Sequence, residues 1–216
     1  MQSTLFSSPA GPNLLPAHGE MYYQEDFLSA QEAHHYQALL ESELRWVQEP
    51  IILFGKPVMQ PRLTALLGDP RVPYGYSGIQ MEVQNWPKGL LPLLRLVEEA
   101  AGEQFTHCLC NWYRDGADSM GWHRDNEKIL GPRPTIASLS FGGTRDFQVR
   151  PYRPKGKDLP AALVGEKKRV LPLAAGSLLL MQGDMQQFWE HQLPKTKKPV
   201  QARINLTFRR LFTAKP

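Results

Sequence analysis

The chain has 216 residues, enough for one well-buried core and too few for two full domains. A hydrophobic fraction of 42% excludes wholesale disorder, and no run approaches the ~20 consecutive apolar residues that span a bilayer, so no membrane partner is expected. The net charge of +4 is unevenly spread: residues 1–108 carry 6 Lys/Arg against 12 Asp/Glu, residues 109–216 carry 19 against 9, and the excess clusters in RPYRPKGK (150–157), KKR (167–169) and KTKK (195–198). Three basic clusters in one half of the chain point to a polyanionic partner.

Residues 1–19 lack the basic start and apolar run of a signal peptide and read as a flexible Pro/Gly/Ser tail ahead of a single domain over 20–216. Ser29 with Glu32 three residues later is a capping-box signature, and Ala33, Tyr36, Leu40 and Leu44 follow at helical spacing. The Pro/Gly-rich stretch 51–78 reads as hairpins and loops. A second helix is predicted from about Leu90 to Ala101, with Pro92 in its first turn and Gly102 after its end. From Phe105 onward the chain reads as successive strands: FTHCLCNWY, TIASLSF, RDFQVRPY, RVLPL, GSLLLMQ and ARINLTFRRL. Early helices followed by many short strands make the fold mainly β (α+β), a two-sheet barrel or sandwich with flanking helices, the jelly roll among the options. Cys108 and Cys110, the only cysteines, would share one strand face in poor geometry for a disulfide, so a reduced, cytoplasmic protein is expected.

The stretch GWHRDNEK (121–128) sets His123 and Asp125 two residues apart. Alone the pair carries little weight, since a chance H-x-D is expected at roughly the one-in-five level in a chain with this composition. His191 in FWEHQLP supplies a second imidazole. In RINLTFR, residues two apart share a strand face, so Arg203, Asn205, Thr207 and Arg209 point one way and Ile204, Leu206 and Phe208 the other. Asn111 and Tyr113 likewise share a face. Two histidines and one carboxylate with open positions are the ligand set of non-haem Fe(II) oxygenases. Two arginines suit a dianionic co-substrate such as 2-oxoglutarate, because a guanidinium grips a carboxylate in bidentate fashion and an ammonium does not. Taken singly, these residues also fit a surface ion pair, a core histidine and solvated strand charges.

Together NWYRDGADSMGWHRDNEKI, ASLSFGGTRDFQVR, WEHQLP and RINLTFR resemble the AlkB family of Fe(II)/2-oxoglutarate-dependent nucleic-acid dealkylases, over about Tyr74 to Phe212. The resemblance implies a double-stranded β-helix (jelly-roll) core with an N-terminal nucleotide-recognition lid over about 47–86. It implies Fe(II) held by His123, Asp125 and His191, with 2-oxoglutarate held by Asn111, Tyr113, Arg203, Asn205, Thr207 and Arg209. It implies O2 as oxidant, succinate as co-product and N-alkylated bases in DNA, such as N1-methyladenine and N3-methylcytosine, as substrates. RNA and protein side chains are the alternatives within the fold, and a nucleic-acid binding module with a vestigial metal site is the alternative outside it. Relatives place a flipped base where Tyr74, Tyr76, Asn126 and Glu127 stand here, and a hairpin wedge where Phe54 stands. Asn126 departs from the second acid that some relatives carry. Nothing in the sequence calls for more than a monomer.

Overall fold

The computed structural model describes residues 11–53, 55–72, 75–76 and 79–212. In chain order its elements are β1 (Glu20–Gln24), α1 (Ala30–Glu43), β2 (Pro50–Leu53), β3 (Lys56–Met59), β4 (Leu63–Leu67), β5 (Gly75–Tyr76), β6 (Ile79–Gln80) and β7 (Val83–Gln84). A 3-10 turn, Lys88–Leu90, leads into α2 (Leu91–Ala101), followed by β8 (His107–Tyr113), β9 (Met120–His123), β10 (Ile136–Gly142), β11 (Arg145–Pro151) and β12 (Arg169–Leu173). Then come β13 (Leu178–Gln182), the single-turn α3 (Met185–Phe188), β14 (Trp189–Leu193) and β15 (Arg203–Arg209).

Local chemistry sets the helix ends. The Ser29 hydroxyl accepts from the Glu32 N–H while the Glu32 carboxylate accepts from the Ser29 N–H at 2.9 Å, so the capping box closes on α1. Gly102 adopts φ 62°, where a Cβ would be strained, and its N–H turns back to the carbonyls of Glu98 and Glu99.

A seven-stranded sheet in the order β1-β13-β10-β15-β8-β4-β7 faces a four-stranded sheet in the order β12-β11-β14-β9. This is the jelly roll expected for the core. The period of two along the strands divides the apolar residues into two layers. Ile204, Leu206 and Phe208 of β15 join Cys108 and Cys110 of β8 and Leu139 and Phe141 of β10 under the helices, packed with Leu40, Leu93 and Val97. On the other face Leu109, Ile136 and Met181 meet Phe147, Val149, Leu173 and Trp189 of the smaller sheet. Fully burying a Leu or Phe contributes about 1.5–3 kcal/mol, so these two layers supply most of the driving force for folding. The two thiols share the helix-side face as expected, both buried, with their sulfurs 4.0 Å apart.

Several elements differ from the sequence reading. Strands β1, β6, β7, β9 and β14 fall where no strand is predicted, and β4 falls in the stretch read as hairpins and loops. β4 lies inside the stretch 47–86, yet it pairs with β8 in the interior of the large sheet. Its Ala65 and Leu67 face the helices and Leu66 faces the other sheet, so it is buried on both sides and shows no alternation. Outside the large sheet, the stretch 47–86 forms the β2–β3 hairpin and the β5–β6 hairpin. The expected tail also differs: in residues 11–19, Leu15 is buried, the Asn13 side chain accepts from the Leu15 and Met21 N–H groups, and the Trp189 indole donates to the Ala17 carbonyl at 3.1 Å. Pro and Gly in that segment shape a fixed loop. Among the described residues no helix is long and apolar enough to cross a membrane.

Candidate active site

His123 ends β9 and His191 sits directly opposite it on β14. Asp125 follows two residues later, its N–H held at 2.9 Å by the Gln186 side-chain oxygen. One ligand atom from each of the three lies within 4.8 Å of the others, close enough to share one cation. The imidazole centroids are 4.2 Å apart and edge-on. His123 Nδ1 is 2.8 Å from the Gly121 carbonyl, which can only accept, so Nδ1 carries the proton and Nε2 offers a lone pair. His191 Nε2 faces Asp125 Oδ2 at 4.0 Å, and this oxygen has no hydrogen-bond partner among the described residues. A buried carboxylate oxygen with a vacant lone pair, flanked by two neutral imidazoles, is the donor set of a divalent cation.

Burial and neighbouring charges shift the ionisation of these groups. His191 is pushed down to about 3, first by burial and then because a proton on it would compete with one on the adjacent His123. Burial raises the Asp125 carboxyl, but Arg209 and the two histidines outweigh it and hold the group below the usual range. In the unfolded chain a histidine takes its proton near pH 6.5. The native state refuses that proton, so the stability tied to His191 is full above about pH 6.5 and falls as the pH drops toward 3. Asp125 adds a loss in the same direction at more acid pH, as its carboxylate is protonated. For metal-free protein the expected fall between pH 7 and pH 5 is about 2 kcal/mol, read as a lower urea midpoint. His191→Gln should flatten the profile, and parallel profiles would deny His191 its buried neutral state.

The second half of the site lies along β15. Register pairs Arg203 with Tyr113, Asn205 with Asn111 and Thr207 with Leu109 on one side, and Asn205 with Ser140 and Thr207 with Ser138 on the other. All four polar side chains of β15 are buried and line a narrow cavity of about 50 Å³ that is also lined by His123, Asp125 and His191. Leu109, Phe147, Leu173 and Met181 form its apolar walls. Arg203 donates to the Ser140 hydroxyl at 2.9 Å, lies 5.5 Å from the Tyr113 ring centroid, and has Nε without a partner among the described residues. Burial lowers its pKa to about 10, still cationic at neutral pH. Arg209 instead reaches the metal end, donating to Asp125 Oδ1 at 2.8 Å. The cavity therefore has a cation at each end.

Other residues hold this face in place, and sequence reasoning missed them. Ser138 accepts from the Asn205 amide at 2.8 Å. Arg62 donates to the Asn111 side-chain oxygen at 2.7 Å and also binds Gln60. The alternation of β10 could have found Ser138 and Ser140; nothing in the sequence marks Arg62, Gln60 or Gln186. Arg145 donates to the carbonyls of Asp115, Asp118 and Pro194 at 3.0, 3.0 and 2.7 Å, tying the loop before β9 to the loop after β14. At the same junction a Cβ on Gly116 would sit 2.3 Å from the Thr196 carbonyl oxygen, so only glycine fits. Arg145→Ala would strand three carbonyls and is expected to destabilise the fold by about 3 kcal/mol. An unchanged urea midpoint would refute that role.

The structure does not bring every expected contact to the cavity. Asn126 is exposed and Glu127 half-buried at the start of the Lys128–Leu130 turn, and neither lines it. Phe54 and Tyr74 lie outside the described residues, and of Tyr76 only the backbone is described, in β5. Lys195, Lys197 and Lys198 are exposed, whereas Arg150 and Arg169 are paired with Glu190 and Glu166.

A jelly roll whose two sheets enclose a His/Asp/His cluster beside a buried arginine-lined strand defines a metal-dependent oxygenase architecture. The model of the 2OG-Fe(II) oxygenase superfamily matches residues 20–209. The alpha-ketoglutarate-dependent dioxygenase alkB homolog 3 of Rattus norvegicus is 40% identical over 187 residues, covering 86% of this chain and 62% of that protein. The DNA oxidative demethylase ALKBH2 of Arabidopsis thaliana is 33% identical over 224 residues, covering 94% of this chain and 70% of that protein. The solved structure of OsALKBH1 superposes with a TM-score of 0.60 at 19% identity, covering 92% of this chain and all of that one, a likeness of fold. The chain belongs to the AlkB family within the 2OG-Fe(II) oxygenase superfamily. That superfamily's chemistry calls for Fe(II), 2-oxoglutarate and O2. The chain spans a little under two thirds of the length of the alkB homolog 3 proteins it matches.

Proposed function

We propose that the protein removes N-alkyl groups from damaged bases in DNA, with 2-oxoglutarate as co-substrate. The observation that carries this reading is the joint enclosure of His123, Asp125, His191, Arg203 and Arg209 in one cavity. His123 Nε2, His191 Nε2 and Asp125 Oδ2 would hold Fe(II), which when bound supplies O2 activation coupled to decarboxylation of 2-oxoglutarate. Arg209, already beside Asp125, would meet the 2-oxoglutarate carboxylate nearest the metal. Arg203, with Nε unpartnered and Tyr113 and Asn111 alongside, would take the far one. Ser138 and Ser140 fix these side chains before the co-substrate arrives, and the apolar walls keep bulk water from the reacting carbon.

A base must leave its stack to enter such a cavity, at a cost of a few kcal/mol that is least for a damaged, unpaired base. The β2–β3 and β5–β6 hairpins, which Phe54, Tyr74 and Tyr76 fall in or adjoin in the sequence, are our candidate for the lid that receives it. Names of relatives support DNA as the target, and the basic second half of the chain supports a polyanion.

The test is turnover of an oligonucleotide carrying one N3-methylcytosine, followed by mass spectrometry, with Fe(II), 2-oxoglutarate and ascorbate. Methyl loss that disappears in His123→Ala is the expected result. Succinate without methyl loss would send the search to RNA or protein substrates. Neither product from iron-loaded, folded protein would overturn the oxygenase reading.

A further inference from the structure

His123 and Asp125 point into the cavity, and the residue between them, Arg124, leaves on the other side of the backbone. Its guanidinium carbon lies 3.6 Å from the centroid of the Tyr152 ring. Tyr152 follows β11, and its N–H is anchored to the Phe188 carbonyl at 2.8 Å. The only hydrogen bond of the Arg124 guanidinium among the described residues is a long one, 3.4 Å, from Nη1 to the Gln187 carbonyl. No carboxylate among the described residues comes within ion-pair distance of it.

A neighbouring pair makes the contrast. Arg150 lies over the Trp122 ring at 4.0 Å but is bound to Glu190 at 2.7 Å, so its charge is already spent. Arg124 keeps a full charge and most of its five donors. Stacking on an aromatic face holds the planar fork flat with its N–H edges outward, which removes much of the rotamer entropy that an ordinary surface arginine loses on binding. The chain runs on from Tyr152 into the exposed Arg153, Lys155 and Lys157, so the field around the fork is positive. A planar, uncompensated guanidinium one residue from two metal ligands suits an oxyanion, and beside a cavity that takes a base of a DNA strand that oxyanion is a backbone phosphodiester.

We propose that Arg124, held flat by Tyr152, clamps a backbone phosphate of the DNA strand whose base enters the cavity. The inference rests on the DNA reading above. It gives the site a positioning residue that sets where the strand crosses the rim, and it leaves the metal ligands their own roles.

The experiment measures binding of a fluorescein-labelled single-stranded DNA 12-mer with one N3-methylcytosine, by anisotropy across a salt series, to protein loaded with Mn(II) and 2-oxoglutarate without oxygen. The parent protein should show log affinity falling with log salt at a slope of roughly −4 to −5, as four to six phosphate contacts require. Arg124→Gln should weaken binding about five- to tenfold at low salt and make the slope shallower by about 1. Arg124→Lys should keep the slope and recover only part of the affinity, because the charge remains and the fork is lost. Tyr152→Leu, which leaves the metal-ligand segment intact, should keep the slope and lose several-fold in affinity, and it carries the test if Arg124→Gln folds poorly. Parent-like affinity and slope in both Arg124→Gln and Tyr152→Leu would sink the clamp while leaving DNA binding in place. Equal weakening in all three variants with no change of slope would make the pair a structural tie, which also overturns the proposal. A flat slope or absent binding in the parent would instead bring down the DNA reading, and the clamp with it.

Discussion

Asp125→Ala is expected to abolish turnover of 2-oxoglutarate and to weaken Fe(II) binding by more than the ~10–100-fold that a residue behind the ligands is worth. Asp125 is 1% exposed and does two jobs at once. One oxygen faces His191 Nε2 across the space for a cation, and the other accepts from Arg209. Removing the carboxylate therefore deletes a ligand and leaves the Arg209 cation buried without its anion. The second effect is expected to cost about 3–5 kcal/mol of stability in the metal-free protein. His191→Ala makes the comparison informative. It should lose turnover as completely, but His191 is neutral in the fold, so its removal leaves no buried charge behind and a smaller loss of stability is expected. Succinate release and urea midpoints on the three proteins measure both effects. Substantial turnover in Asp125→Ala would remove Asp125 from the metal site, and equal destabilisation in the two variants would deny the Arg209 pairing.

Arg203→Ala is expected to raise the 2-oxoglutarate concentration needed for half-maximal turnover about 100- to 1000-fold. A bidentate charge-assisted contact in a buried site is worth roughly 3–4 kcal/mol, and each 1.4 kcal/mol is tenfold. Arg203→Lys should restore little, since an ammonium cannot reproduce the fork that also reaches Ser140. Arg209→Ala should differ in kind: because Arg209 is paired with Asp125, both the metal and the 2-oxoglutarate requirement should rise. Titrations of each variant with 2-oxoglutarate at saturating Fe(II), and with Fe(II) at saturating 2-oxoglutarate, separate the two. If Arg203→Ala keeps the parent's 2-oxoglutarate requirement, the far carboxylate is held elsewhere. Identical patterns in the two arginine variants would refute the assignment of one to each end.

How much of this was legible depends on whether the signal is local. The β15 stretch declares itself because an alternating strand with arginines on one face and Ile204, Leu206 and Phe208 on the other has one low-energy placement. The same holds for the Ser29 capping box and the Gly102 stop, which are interactions within a few residues. β4 was hidden because burial on both faces erases alternation. The loop before β1 was hidden because proline and glycine mark tails and fixed loops alike, and only the Trp189 and Met21 partners distinguish them.

By itself the sequence determined the residue types of the chemistry, the faces of the strands that carry them, and the basic second half that suits a polyanion. The tertiary structure decided which of those groups meet. His191 comes to lie against His123 across a β14–β9 pairing 68 residues apart in the chain, and Arg209 comes to Asp125 across 84. It also decided what each arginine is free to do: Glu190 neutralises Arg150, Asp125 claims Arg209, and Arg203 and Arg124 keep donors to spare. The physical reason is one of range. Periodicity and capping act within a turn or a strand, whereas ion pairing, desolvation and the closing of a cavity depend on neighbours that only the packing of two sheets brings together.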